Sequence, residues 1–185
     1  MSKINKLNPN WVTGFIDGEG CFTLSITENV RRKTGWAVQV CFNIVLHSRD
    51  EYLLLQIKSF FENTGKIWLK NDFVIYQVRS INDILKVIIP HFDKYPCITQ
   101  KQSDFFIWKK IIELMNKGEH LNKDSLINII SLKASLNKRL SVKLKRYFPI
   151  VTEIKRSKIN LPENIDPNWI AGFFNGEGCF FYSSL

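Results

Sequence analysis

The sequence predicts an α+β fold, an antiparallel sheet with helices packed on one of its faces. Three patterns predict it. Several stretches alternate apolar and polar residues strictly, as half-buried strands do. Others repeat apolar residues at helical spacing. One fourteen-residue segment occurs twice, at 9–22 and at 167–180.

The first copy of that segment opens a helix at 9–19. Pro9 suits a first turn, where its missing N–H costs nothing, and Asn8 is placed to cap it. Gly20 is expected as a left-handed stop. Residues 21–27 then alternate, with Phe22, Leu24 and Ile26 on one face and Cys21, Thr23, Ser25 and Thr27 on the other. A basic turn with Arg31, Arg32, Lys33 and Gly35 leads into a second alternating run at 36–46. Its faces carry Trp36, Val38, Val40, Phe42 and Ile44 against Ala37, Gln39, Cys41, Asn43 and Val45. Residues 49–61 read as an amphipathic helix through Tyr52, Leu53, Leu55, Gln56 and Phe60. A second hairpin is expected at 66–70 and 73–79 about Asn71-Asp72. Ile67, Leu69, Val74, Tyr76 and Val78 point to the core; Lys66, Trp68, Lys70, Gln77 and Arg79 point out. Helices are expected at 81–92, 99–117 and 123–136, with a break at Tyr95-Pro96. The order is α-β-β-α-β-β-α-α-α.

Composition narrows the function. The chain has 185 residues, 45% of them apolar, which suffices for a packed core. Its 26 Lys and Arg outnumber 17 Asp and Glu, a formal charge of +9 that favours a polyanionic partner, nucleic acid before an anionic membrane. No stretch reaches the roughly 18–20 apolar residues of a membrane helix, and the start reads as neither a secretory signal nor a transit peptide. Four scattered cysteines (Cys21, Cys41, Cys97, Cys179) form no C-x-x-C pair, against a zinc site or a disulfide framework. His47, His91 and His120 lack partners at useful spacing and are expected to be structural. Residues 133–158 hold nine cations (Lys133, Lys138, Arg139, Lys143, Lys145, Arg146, Lys155, Arg156, Lys158) and one acid, Glu153. Such a run is either a solvated linker face or a set of phosphate contacts.

The repeat carries the chemistry. PNWVTGFIDGEGCF and PNWIAGFFNGEGCF agree at ten of fourteen positions; the changes are Val12/Ile170, Thr13/Ala171, Ile16/Phe174 and Asp17/Asn175. Each copy opens a domain-sized unit, and the second is expected to stop soon after its motif. Gly14 and Gly18 lie four apart on one helix face, as do Gly172 and Gly176. Glycine inside a helix costs about 1 kcal/mol relative to alanine, so two stripes of it call for close helix-on-helix contact. Glu19 and Glu177 then fall at helix C-termini, where a carboxylate is disfavoured by roughly 0.3–1 kcal/mol. If the helices pair, the two acids also meet. A hard cation such as Mg²⁺ removes both problems, and carboxylate-held metal suits phosphodiester hydrolysis. Read singly, each glutamate is also what a solvated acid before a terminal glycine looks like; the duplication argues for a pair. On the sheet, the outward Ser25, Thr27, Gln39, Asn43, Lys66, Trp68, Lys70, Gln77 and Arg79 suit base edges and phosphates, though an ordinary solvated face carries similar residues.

The two motifs, Trp11-Val-Thr-Gly-Phe-Ile-Asp-Gly-Glu-Gly20 and Trp169-Ile-Ala-Gly-Phe-Phe-Asn-Gly-Glu-Gly178, resemble the LAGLIDADG signature of homing endonucleases. The resemblance is to the single-chain branch of fungal mitochondrial introns, and His91-Phe-Asp-Lys-Tyr-Pro-Cys-Ile-Thr-Gln-Lys101 shares it. It implies an αββαββα unit with a four-stranded saddle sheet that reads the DNA major groove. It implies residues 1–132 as a first domain, 133–165 as a basic helix or linker, and 166–185 as the start of a second domain. Glu19 and Glu177, with the backbone of Gly18 and Gly176, are implied as ligands of Mg²⁺ or Mn²⁺, and Lys101 as an active-site cation. Thr23, Arg31, Arg32 and Cys41 join the expected DNA contacts. The implied activity is a double-strand cut at a long asymmetric DNA site, in the mitochondrion and without a membrane. Asn175 departs from the usual Asp, at a position other than the metal ligand. The same family offers two alternatives, an intron RNA maturase and a DNA-binding remnant without cleavage. With one complete sheet, the chain is also expected to need a separately encoded second half or a second copy.

Overall fold

The structure, a computed structural model, describes residues 7–136 and 140–178. Helix α1 (Pro9–Glu19) starts as expected, with the Asn8 side chain accepting from the Asn10 amide at 2.8 Å. Its end differs from the expectation. Gly20 is extended (φ −76°, ψ 158°), not left-handed, and its N–H bonds to the Ile16 carbonyl. Glycine is required there because a methyl would sit 2.3 Å from Ile16 Cγ2, where the chain turns straight from helix into strand.

The strands β1 (Gly20–Glu28), β2 (Trp36–His47), β3 (Lys66–Lys70) and β4 (Phe73–Val78) form one antiparallel sheet in the order β1-β2-β4-β3. The register pairs Phe22 with Phe42, Phe42 with Val78, and Ile67 with Tyr76. That places the buried residues of β1, β2 and β4 on one face. Phe22 is the hub: its ring lies 5.0–5.7 Å from those of Phe42, Phe92, Phe105 and Trp108. Leu69 shares the core face but is exposed, because edge strand β3 runs past the helices that cover the sheet.

Helix α2 (Glu51–Phe60) follows a short 3₁₀ turn at Ser48–Asp50. It buries Leu54, Ile57 and the following Phe61, while Tyr52 and Leu55 are exposed. The expected apolar face was therefore out of phase, since exposed aromatic and aliphatic residues blur the period. The expected single helix at 81–92 is α3 (Ile81–Asp83), a π-turn (Ile84–Ile88) and α4 (Ile89–Lys94). Pro90 explains the wide turn: it has no N–H for the carbonyl four residues back and its ring crowds that position. Helices α5 (Lys101–Asn116) and α6 (Lys123–Ala134) close the core.

The basic stretch is more structured than a linker. Helix α7 (Val142–Tyr147) buries Leu144, and Tyr147 and Phe148 pack on Trp36. Lys133 is buried and donates to the Leu24 carbonyl at 2.7 Å. Arg156 bridges the buried Asp104 carboxylate at 3.0 Å and the Ser135 carbonyl at 2.8 Å. Both cations bond inward to the fold, Lys133 buried and Arg156 half-buried. Lys145, Arg146, Lys155 and Lys158 are exposed, and Lys143 pairs with Glu28. Lys138 and Arg139 lie outside the described residues. The second motif forms α8 (Pro167–Glu177), capped by Asp166. The strand expected to begin at Cys179 lies outside the described residues.

Candidate active site and nucleic-acid interface

The two motif helices pack against each other through their glycines, and the contact is reciprocal. A methyl at Gly14 would lie 2.0 Å from the Trp169 carbonyl oxygen; one at Gly172 would lie 2.0 Å from that of Trp11. No side chain fits at either position. One turn further, a methyl at Gly18 would meet Glu177 Cγ at 3.0 Å, and one at Gly176 would meet Glu19 Cγ at 3.1 Å. Each glutamate is thus seated on the glycine of the opposite helix, and the seam brings both carboxylates to one end. Trp11 stacks on Phe15 and Trp169 on Phe173, repeating the same side-chain arrangement on each helix.

The site's electrostatics follow from that seating. Partial burial, then the facing Glu177 charge, raise the Glu19 carboxyl above its ordinary value, and Lys101 opposes them. Lys101 donates to the carbonyls of Ile16 (2.9 Å) and Gly18 (2.7 Å). It therefore caps the negative end of α1 with a cation. Burial holds its ammonium below the ordinary lysine value, against the pull of Asp17 and neighbouring groups. The Gly18 carbonyl, expected to face a metal, already accepts from Lys101.

Two carboxylates that face each other, Glu19 partly buried, have the oxygen-donor chemistry that fits a hard divalent cation. No cluster of three or more acidic, histidine or cysteine side chains occurs among the described residues. Any cation here would therefore complete its shell with backbone carbonyls, water or a phosphate.

Asp17 was visible in the sequence only as a difference between the two motifs. It is buried, and its carboxylate accepts from the Ile98 and Thr99 amides (2.7 and 3.2 Å) and the Thr99 hydroxyl (2.5 Å). This anchors the loop that delivers Lys101. A charged residue on the buried side of an otherwise apolar helix was the available signal. Asn175, its counterpart on α8, is exposed. His91 is structural, as expected. It is boxed by Phe60, Phe61, Phe92 and Tyr95 and lies 3.0 Å from the Thr13 hydroxyl, which donates to the Tyr95 carbonyl.

The expected outward set does share one sheet face. The register places Cys21, Asn43, Gln77 and Lys66 side by side, then Thr23 beside Cys41 and Ser25 beside Gln39. Ser25, Thr27, Gln39, Lys66, Lys70 and Arg79 are exposed; Thr23, Asn43 and Gln77 are half-buried. Cys41 is covered, its sulfur accepting the Gln77 amide at 2.7 Å, so it supports that face from below. Arg31 and Arg32 are exposed at the β1–β2 turn, far along the sheet from the glutamates.

A helix-backed sheet, with two copies of one glycine-seamed helix presenting paired glutamates beside it, defines a protein of the homing-endonuclease type of fold. The chain belongs to the LAGLIDADG endonuclease family, whose model matches residues 12–112. It is 42% identical over 187 residues to "Probable intron-encoded endonuclease 2" of Neurospora crassa, covering 95% of this chain and 41% of that protein. "Probable intron-encoded endonuclease 3" of the same fungus is 41% identical over 180 residues, covering 95% and 33%. The I-SmaMI LAGLIDADG homing endonuclease bound to cleaved DNA superposes with a TM-score of 0.89 at 43% identity, covering 92% of this chain and 57% of that one. I-GzeII in complex with its DNA target gives 0.86 at 44%, covering 92% and 59%. The chain thus spans less than half of these curated relatives.

Proposed function

We propose that the chain acts as a site-specific endonuclease on double-stranded DNA, with Glu19 and Glu177 as paired metal ligands. The observation that carries this is the reciprocal seating of the two glutamates on Gly176 and Gly18 at one end of the helix seam. Both carboxylates, with motif backbone carbonyls, would hold Mg²⁺ or Mn²⁺. Such an ion, when bound, lowers the pKa of a water nucleophile and stabilises the leaving oxygen of a phosphodiester. The chain's own residues do the rest. Lys101 neutralises the end of α1 beside the acids, and Asp17 fixes the loop that carries it. The polar sheet face positions the duplex: Lys66, Lys70 and Arg79 on phosphates, Gln39, Asn43 and Gln77 on base edges. I-SmaMI and I-GzeII, which were crystallised on DNA, and a calcium-containing I-SmaMI complex support this reading. Relatives named for fungal introns support an origin in the fungal mitochondrion.

Residues 1–132 form the first reading unit in this proposal, 133–165 the connection, and α8 opens a second. Val12 and Ile16 of α1 are fully buried, whereas their counterparts Ile170 and Phe174 are 41% and 62% exposed. A second sheet, in a longer protein or a second chain, would cover them. The test is cleavage of a randomised duplex library with Mg²⁺, by the chain and by Glu19→Gln. The variant should bind duplex and not cut it; cutting that survives the substitution removes Glu19 from the metal site. Tighter binding to intron RNA than to duplex DNA would favour a maturase instead.

A further inference from the structure

The outward sheet face is not uniformly polar. Val45, Ile75 and Trp68 are side by side on β2, β4 and β3, forming one apolar row across three strands. Val45 is 39% and Trp68 37% exposed, on the face away from the core. Phe73, two residues before Ile75 on the same face, is 51% exposed. The row is framed by cations along the edge strand, where Lys66, Trp68 and Lys70 alternate outward, and by the Asn43–Gln77–Lys66 row on its other side.

We propose that this row is a thymine-methyl reader that sets part of the chain's DNA sequence preference. This rests on the duplex-DNA reading above. In the major groove every base edge except one offers only donors and acceptors; thymine adds its C5 methyl. Val45, Ile75 and Phe73 cannot bond a base edge. Against a G·C or C·G pair they would strip water from polar atoms and return nothing. Against thymine they bury a methyl. The flanking lysines fit the phosphates on either side, so the patch has the charge frame of a groove contact. Three residues across two inter-strand gaps of about 4.8 Å span roughly 10 Å, near three base steps of about 3.4 Å. The same chemistry disfavours RNA, whose uracil lacks the methyl and whose A-form major groove is too narrow for a sheet.

The test uses the full chain and a randomised duplex pool. Bound sequences should be enriched in thymine across about three adjacent base pairs. Replacing those thymines by deoxyuracil, which removes only the methyl, should weaken binding about fourfold per methyl. Deoxyuracil elsewhere in the site should change little. Val45→Ser and Trp68→Gln, at exposed positions that leave the core alone, should each reduce the deoxyuracil penalty in that window. Sequence-selective duplex binding that is indifferent to deoxyuracil, or a penalty unchanged in both variants, overturns the proposal and leaves the endonuclease reading standing. Failure to bind duplex at all overturns both.

Discussion

Lys101 donates to two carbonyls at the end of α1, and neither bond would survive a shift of its loop by an ångström or two. What prevents that shift is Asp17, which receives two backbone amides and a hydroxyl from Ile98 and Thr99. Hydrogen bonds to a charged group contribute about 1.5–3 kcal/mol each. Asp17→Ala should therefore cost about 3 kcal/mol or more in urea unfolding. Asp17→Asn should cost about 1 kcal/mol, because the amide oxygen can still take both backbone N–H groups. Equal losses in the two variants would mean that the charge itself, and not the acceptor geometry, holds the loop. A second residue gives the chain a pH signature. Burial among aromatic rings lowers the His91 imidazole to about 4. The neutral ring is the folded form, so its stabilisation is complete above the unfolded value near 6.5. It is lost progressively as pH falls toward 4, because the unfolded chain takes up a proton that the folded chain refuses. The total is about 3 kcal/mol at ~1.4 kcal/mol per unit. Urea midpoints from pH 7 to 4 should trace this loss, and His91→Phe should flatten it.

At the scale of elements, the seam ranks its glycines. A methyl at Gly14 or Gly172 strikes a backbone carbonyl at 2.0 Å, so the helices must part. One at Gly18 or Gly176 meets the Cγ of a glutamate, which can swing aside. Gly14→Ala should therefore detach α8, seen as faster amide exchange along Pro167–Glu177 with α5 and α6 unaffected. Overpacking penalties of about 1–3 kcal/mol exceed the ~1 kcal/mol that alanine gains in helix propensity. Gly18→Ala should leave α8 docked and displace only Glu177. Identical exchange in the two variants would contradict this ranking. The seam was legible in the sequence because two copies at i and i+4 leave few alternatives. The strands were legible because one face is buried and the other wet, so period two survives. The phase of α2 was not, since Tyr52 and Leu55 are apolar residues left on the surface. Lys133 and Arg156 read as surface cations because nothing local marks a lysine that will meet a carbonyl in β1, or an arginine that will meet Asp104 in α5.

For the whole molecule, the question is what keeps α8 opposite α1 when so little else touches it. The segment between α7 and α8 has no regular secondary structure, yet it is fastened along α5 and α6. The Ser135 hydroxyl accepts from the Ile154 N–H and donates to the Ile154 carbonyl, Arg156 donates to the Ser135 carbonyl and the Asp104 carboxylate, and the Asn160 N–H donates to the Gln102 side-chain oxygen at 2.8 Å. Gln102 in turn donates to the Cys97 carbonyl, in the loop that Asp17 anchors. The strap thus ends a few residues before Asp166 and leaves only a short free tether. The effective concentration of one linked element at another falls roughly as the −3/2 power of tether length. Arg156→Ala combined with Ser135→Ala and Gln102→Ala, which removes these side-chain bonds of the strap, should release it as far back as α7 and lengthen that tether severalfold, without touching any residue of the seam. Docking of α8 should then weaken by roughly five- to tenfold, read as amide exchange in α8 accelerated by that factor while α1 and β1 keep their protection. Because the α1 glutamate sits on an α8 glycine, cleavage should fall in parallel with α8 protection. Unchanged exchange in α8 would mean that the glycine seam alone positions the second glutamate and that the strap is incidental to the site.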